Sequence, residues 1–247
     1  MDWLKLKSGS DVRGVAVGDG ATLTPHVAQC LGMAFARFAA QKTGKSVTQL
    51  TIAIGRDSRI SGPALLKAAA EGISRAGAAV IDFGMCTTPA MYMSIITPSF
   101  APDGAIMVTA SHHPWDKNGL KFFLQDGGLE GEDVAALLEA AKDLTPEGLP
   151  FSGSITEKAF LPTYMEQLSQ RIRTGLNTDM AKPLLGLHGV VDAGNGAGGF
   201  YATLLENLGA WVEGSQFLEP DGRFPNHIPN PENAEAMASL RDAVLRV

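Results

Sequence analysis

Cysteine is nearly absent: Cys30 and Cys86 are the only two in 247 residues. Two thiols cannot build a disulfide framework or a thiolate zinc site, and their scarcity predicts a reducing compartment. Positive charge is in the minority, with 20 Lys and Arg against 26 Asp and Glu and a net charge of −6. A nucleic-acid partner is therefore not expected, because counterion release needs a basic face. A small anionic substrate remains compatible, since a few arginines can make a positive pocket in an acidic protein. No apolar run reaches the length of a membrane span, and the opening "MDWLKLKSGSDVRG" has no apolar signal core. The expectation is a soluble cytoplasmic protein with no membrane partner. Metal motifs are missing too: there is no D-x-D, H-E-x-x-H or C-x-x-C cluster.

What is present is 45% hydrophobic and 19% charged, the balance of a globular enzyme with one large or two ordinary domains. "TPHVAQCLGMAFARFAAQK" (24–42) opens with a capping Thr and a Pro at the first helical position. Its Val27, Leu31, Ala34, Phe35 and Phe38 fall on one face. "LTIAIG" (50–55) predicts a buried strand, followed by a helix with Leu65, Leu66, Ala69 and Ile73 inward and Gly77 as its stop. "AAVIDF" (78–83), "GAIMVTA" (104–110) and "LKFFL" (120–124) predict further strands. Strands alternating with helices imply an α/β fold, three layers (α/β/α) around a mixed, mostly parallel sheet.

The stretch "TPEGLPFSGS" (145–154) is rich in Pro, Gly and Ser and reads as a linker. It divides the sequence into domains 1–150 and 151–247. Helices are expected at about 159–173 and 199–208, and strands at "LLGLHGVVDA" (184–193) and from Trp211. "IAIGRDSRISG" and "GVVDAGNGAGG" both run from strand to polar glycine turn to helix, so the second domain resembles the first. "NPENAEAMASLRDAVLRV" predicts a final helix with Asn230 as cap, Pro231 first, and Met237, Leu240 and Val244 on one face. In a parallel α/β unit such a helix leads to another strand. The expectation is a second domain that is incomplete at residue 247.

Chemistry concentrates in "VTASHHPWDKNGLKFF" (108–123). Ser111 follows a buried strand, where α/β sheets place reactive groups, and His112 is able to move protons near neutral pH. The G-x-S-x-G elbow of hydrolases is missing, which disfavours a hydrolytic triad. Arg13, Arg56 and Arg59 lie near strand ends, and with Lys121 they favour a phosphorylated ligand. "GNGAGG" (194–199) fits G-x-G-x-x-G, yet Asn195 is bulky for that turn and Asp192 is an unwelcome charge beside a pyrophosphate. A structural turn is preferred to a dinucleotide site.

"TASHHPWDKNGLKFF" closely resembles the phosphoserine loop of the α-D-phosphohexomutase superfamily, phosphomannomutase/phosphoglucomutase type, usually written TASHNP followed by N-G-x-K. "SDVRG" is similar to its D-x-R-G element and "GRDSRISG" to its G-R-D-x-R segment. "VDAGNGAGG" and "DGRFPNHIPNPENAEAM" resemble parts of its second domain. The resemblance runs in order along nearly the whole chain. It implies reversible phosphoryl transfer on a hexose phosphate, 1-phosphate to 6-phosphate, through a phosphoserine at Ser111 and a bisphosphorylated sugar. His112 then matches a general acid/base, Lys121 and Arg13 match residues beside the phosphate, and Arg56, Arg59 and Asn118 are carried as phosphate-binding candidates. The implied cofactor is Mg²⁺, held by the phosphate on Ser111 and by an acidic loop expected after Val247. His113 stands where the family usually has Asn, and Ser10 where some members carry an aromatic. A chain without that acidic loop is expected to be inactive alone. A phosphoglucosamine mutase, or a module that binds a phosphosugar without transferring phosphate, are the alternative readings.

Overall fold

The computed structural model describes residues 2–247, which divide into two compact units. The first holds residues up to Asp57, 61–110 and 116–160; the second holds 161–247 together with two short stretches, 58–60 and 111–115.

The first unit is built on eight strands: β1 (Lys7–Ser8), β2 (Asp11–Val15), β3 (Thr51–Arg56), β4 (Ala79–Met85), β5 (Gly104–Val108), β6 (Lys117–Leu124), β7 (Gly127–Gly128) and β8 (Ile155–Glu157). They run in the order β1-β2-β6-β5-β3-β4-β8, with β7 against β6. The sheet is mixed. Parallel pairing is confined to β5-β3-β4-β8, and β2, β6 and β7 pair antiparallel. Its parallel character is smaller than the sequence pattern implied, because β5 reaches β6 through a short loop and not through a helical crossover.

Helix α1 (Pro25–Thr43) starts where the sequence places it: the Val27 N–H donates to Thr24 Oγ1 at 3.3 Å, and Gly44 ends it at φ 70°. Helix α2 (Gly62–Ala76) ends at Gly77 with φ 109°, the left-handed conformation that a side chain would strain. Two further helices, α3 (Thr88–Ile95) and α4 (Gly131–Ala141), are not in the sequence reading. Ile52, Ile54, Ile106 and Val108 join one core with Leu31, Phe35 and Leu65, while Ala53, Ala105 and Met107 alternate to the opposite face. On that face lie Met91 and Ile95 of α3, also fully or nearly buried. An aromatic cluster of Phe83, Phe100 and Phe160 closes the end of the unit, with ring centroids 4.9–5.7 Å apart. Residues 151–160, assigned by sequence to the second domain, therefore belong to the first, since β8 extends its sheet and Phe160 is buried.

The second unit carries α5 (Leu161–Gly175), α6 (Phe200–Asn207) and α7 (Ala234–Leu245). The two expected strands pair only through isolated parallel bridges, His188 with Trp211 and Asp192 with Gln216. Parallel pairs gain little without cover on both faces, and Leu185, Leu187 and Trp211 are exposed. The last helix starts later than expected. Asn230 spends its side chain on the Glu232 N–H, and Asn233 instead accepts from Glu235 and Ala236, each at 3.0 Å. Its buried residues are Ala236 and Ala243, while Met237 and Val244 are exposed. Among the described residues, no helix is long and apolar enough to cross a membrane.

Helices α1 and α2 approach through glycine. A Cβ on Gly32 would lie 2.2 Å from the Ala69 carbonyl oxygen, and one on Gly72 would lie 1.9 Å from that of Gln29. Gly32→Ala or Gly72→Ala should each lower unfolding free energy by about 1–3 kcal/mol in urea titrations, the range for overpacked cores. Gly20→Ala, with nothing within 4 Å, should be close to neutral. Burial pushes the Cys86 thiol up to about 12 and, with the Glu147 carboxylate adding, the Cys30 thiol up to about 11. Both raised values leave the thiols protonated at pH 8, so iodoacetamide should label neither until denaturant is added.

Candidate active site

Strand β5 delivers the chain to the serine loop under tight control. Beyond its end, Thr109 Oγ1 donates to Asp57 Oδ2 at 2.6 Å, and the Asp57 N–H donates to the Val108 carbonyl at 3.1 Å. These two bonds tie the ends of β3 and β5 together. Asp57 and Thr109 were not singled out in the sequence; the signal available was their place in "GRDSR" and "VTASH".

Within the second unit, the loop 111–115 is anchored on Arg59. Ser111 is exposed and sits at φ 57°. A non-glycine residue in this left-handed region costs roughly 1–3 kcal/mol, so the surroundings must hold it there. The Arg59 side chain is fully buried. Its Nη2 donates to the carbonyls of Ser111 at 2.9 Å and His113 at 2.7 Å, and its Nη1 donates to that of Pro114 at 2.6 Å. His112 is exposed, its Nδ1 is 3.4 Å from Ser111 Oγ, and its ring stacks on His113 with centroids 5.1 Å apart. Ser111 and His112 thus face solvent, while the backbone beneath them is bonded to a buried cation.

Within the first unit, one carboxylate organises two cations. Asp11 is buried, and its Oδ2 accepts from Arg13 Nη2 at 2.9 Å and from Lys121 Nζ at 2.5 Å. Arg13 Nη1 also donates to the Ala110 carbonyl at 3.2 Å. The Arg13 Nε is buried with no hydrogen-bond partner. Such a donor is costly unless something accepts from it, and a planar guanidinium edge suits an anionic oxygen. Asp11, the Asp of the D-x-R-G element, is not among the candidate residues expected from the sequence, although it precedes Arg13 by two in a strand and so shares its face.

Three expected ligands take other places. Asn118 is fully buried, its Nδ2 donating to Ser61 Oγ at 2.9 Å and its Oδ1 accepting from the Gly119 N–H at 2.9 Å. Both ends of the amide are engaged, so it braces β6 and has no surface for a phosphate. Arg59 likewise has no exposed surface. Arg56 donates to the Asp57 carbonyl and lines a cavity of about 850 Å³ with Lys67, Asp82, Glu157 and Lys158, to which neither Arg13 nor Lys121 contributes. There burial, the main influence, raises the Asp82 carboxyl above its usual range. The glycine turn is closed by its own unit: Asp192 accepts from the Gly194 N–H at 2.9 Å and faces His227 Nε2 at 3.0 Å, and Asn195 Nδ2 donates to the Glu219 carbonyl. Asp192, Gly194 and His227 also line a cavity of about 220 Å³ with Met237 and Leu240. Among the described residues no group of three or more His, Cys, Asp or Glu could hold a metal ion. The described residues therefore do not by themselves fit the expected Mg²⁺.

Two family models match this chain. Residues 5–145 match "Phosphoglucomutase/phosphomannomutase, alpha/beta/alpha domain I", and residues 162–247 match domain II of the same family. A phosphoglucomutase of Neisseria gonorrhoeae is 34% identical over 93% of this chain and 46% of its own length. A phosphomannomutase/phosphoglucomutase of Pseudomonas aeruginosa is 36% identical over 96% of this chain and 46% of its own. The chain thus spans about half the length of the curated relatives it matches. A crystal structure of a phosphoglucomutase/phosphomannomutase family protein from Burkholderia thailandensis superposes with a TM-score of 0.80 at 30% identity, covering 98% of this chain and 50% of that one.

Removing the shared carboxylate would leave two partly buried cations facing each other. Asp11→Ala should cost about 3 kcal/mol or more in unfolding free energy, as for other broken buried ion pairs. Denaturant titration measures it, and a loss below about 0.5 kcal/mol, typical of an exposed pair, would show that Asp11 organises nothing.

Proposed function

The chain belongs to the phosphoglucomutase/phosphomannomutase family, and from that premise we propose that Ser111 carries a phosphoryl group to and from a hexose phosphate. The observation that carries the reading is Ser111 itself, exposed at a strand end in a strained backbone conformation beside the exposed His112. A serine that only ended a turn would gain nothing from that strain.

The steps follow from phosphoryl-transfer chemistry, which needs positioning and charge neutralisation more than covalent assistance. A hydroxyl oxygen of the sugar monophosphate attacks the phosphorus on Ser111. The new O–P bond forms as the bond from Ser111 Oγ breaks, and His112 takes the proton of the attacking hydroxyl. The product is a hexose bisphosphate and a serine whose Oγ takes a proton from solvent. After the sugar reorients, Ser111 Oγ returns that proton to solvent and attacks the other phosphorus as the bond from that phosphorus to its sugar oxygen breaks. His112 then returns its proton to the sugar oxygen released. Arg13 and Lys121, paired on Asp11, are assigned the neutralisation of the transferred charge; the unpartnered Arg13 Nε supports that assignment. Glucose and mannose phosphates are the proposed substrates. Full turnover is not proposed for these 247 residues unaided, because the described residues hold no metal-binding cluster.

Incubation with a hexose 1,6-bisphosphate followed by intact-mass and peptide analysis tests the reading. The chain should gain one phosphoryl group on the peptide containing Ser111, and Ser111→Ala should gain none. Lys121→Ala should slow the uptake by about 10²–10³, the usual loss for a preorganised donor to developing charge. Absence of phosphate from Ser111 under these conditions would sink the proposal.

A further inference from the structure

We infer that Arg59 is the positioning residue of the serine loop and not a ligand of the sugar phosphate. The inference rests on the function proposed for Ser111 and adds the means by which that serine is presented. A guanidinium is a planar fork with five N–H donors, always charged and fixed in direction. Arg59 aims this fork at the carbonyls of Ser111, His113 and Pro114. Those three bonds set the orientation of the peptide groups on either side of the loop's tip. The peptide that follows Ser111 is the one whose direction depends on its left-handed φ of 57°. Bonding its carbonyl to a buried cation is what keeps Ser111 in that region and its Oγ outward.

Arg59 is itself held from behind. Its guanidinium carbon lies 5.1 Å from the ring centroid of Phe224, a cation–π distance. Its backbone forms a parallel bridge with Gly222. A Cβ at position 222 would lie 2.3 Å from the Ser58 carbonyl oxygen and 2.5 Å from the Ile60 nitrogen, so only glycine lets the segment "DGRFP" approach so closely. The chain of support runs from Gly222 and Phe224 to Arg59, and from Arg59 to Ser111. Lysine cannot substitute: one ammonium lacks the fork that meets three carbonyls.

Hydrogen exchange and phosphorylation kinetics of Arg59→Lys, Arg59→Gln and Phe224→Leu in the 247-residue chain test this. In the Arg59 variants, exchange of the His112, His113 and Trp115 amides should accelerate by about tenfold or more, the equivalent of one charge-assisted hydrogen bond. Exchange in β5 and α1 should not change. The maximal rate of Ser111 phosphorylation by a hexose 1,6-bisphosphate should fall, with the half-saturating concentration unchanged. Phe224→Leu should give the same pattern at smaller size. Unchanged loop exchange in Arg59→Lys, or a rise in the half-saturating concentration alone, would overturn the inference and make Arg59 a ligand. If the Arg59 variants do not fold, slow exchange of the Arg59 guanidinium protons in the wild-type chain, read by NMR, supports the inference, and exchange at the rate of an exposed arginine overturns it. Failure of the wild-type chain to take phosphate would refute the function of Ser111, while the exchange data would still decide what Arg59 does.

Discussion

A guanidinium with no exposed surface has to be matched by oxygen, and for Arg59 the oxygens belong to the backbone of the serine loop. Burying a cation is costly unless its donors are met, and the loop carbonyls meet them in a direction that the planar fork dictates. The loop therefore has little freedom: its carbonyls point inward and the Ser111 and His112 side chains are left outside. Strain at Ser111 is offset by the same bonds. The glycine at position 222 is part of this arrangement, because any side chain there would drive the backbone of 58–60 away.

The second organising centre is a carboxylate. Asp11 holds Arg13 and Lys121 at one oxygen, so two cations that would repel are kept close. This suits a group carrying more than one negative charge, and in the proposed reaction that group is the phosphoryl in transit. Within the first unit, Asp57, Thr109 and Asn118 hold the strand ends with hydrogen bonds of 2.6–3.1 Å.

Much of the first unit was legible in the sequence because its signals are local. Thr24 and Pro25 start α1, Gly44 and Gly77 end helices in left-handed conformation, and β5 is a continuous apolar run buried along its length. The sequence pattern does not mark α3 and α4, and it puts the cap of α7 three residues early, because Asn230 and Asn233 carry the same capping chemistry and only the backbone path decides between them. Apolar runs predict two strands in the second unit, yet these pair with each other only through two isolated bridges. Pairing depends on neighbours that a single run does not specify.

The sequence by itself pointed to the family and to Ser111 and His112 as candidate site residues, because these lie in short contiguous motifs whose residue types are their own signal. Tertiary structure alone decided what the charged residues do. Arginine reads the same in a sequence whether it meets a phosphate, lines a cavity or caps a loop, and its role follows from which oxygens surround it after folding. Arg13 keeps an unpartnered buried donor, Arg56 faces a cavity, and Arg59 is enclosed by carbonyls. For Arg56 and Arg59 those environments are made by residues distant along the chain, Asp82 and Phe224, and no local pattern encodes the meeting; for Arg13 the neighbouring Asp11 is local, and only Lys121 joins the pair from afar.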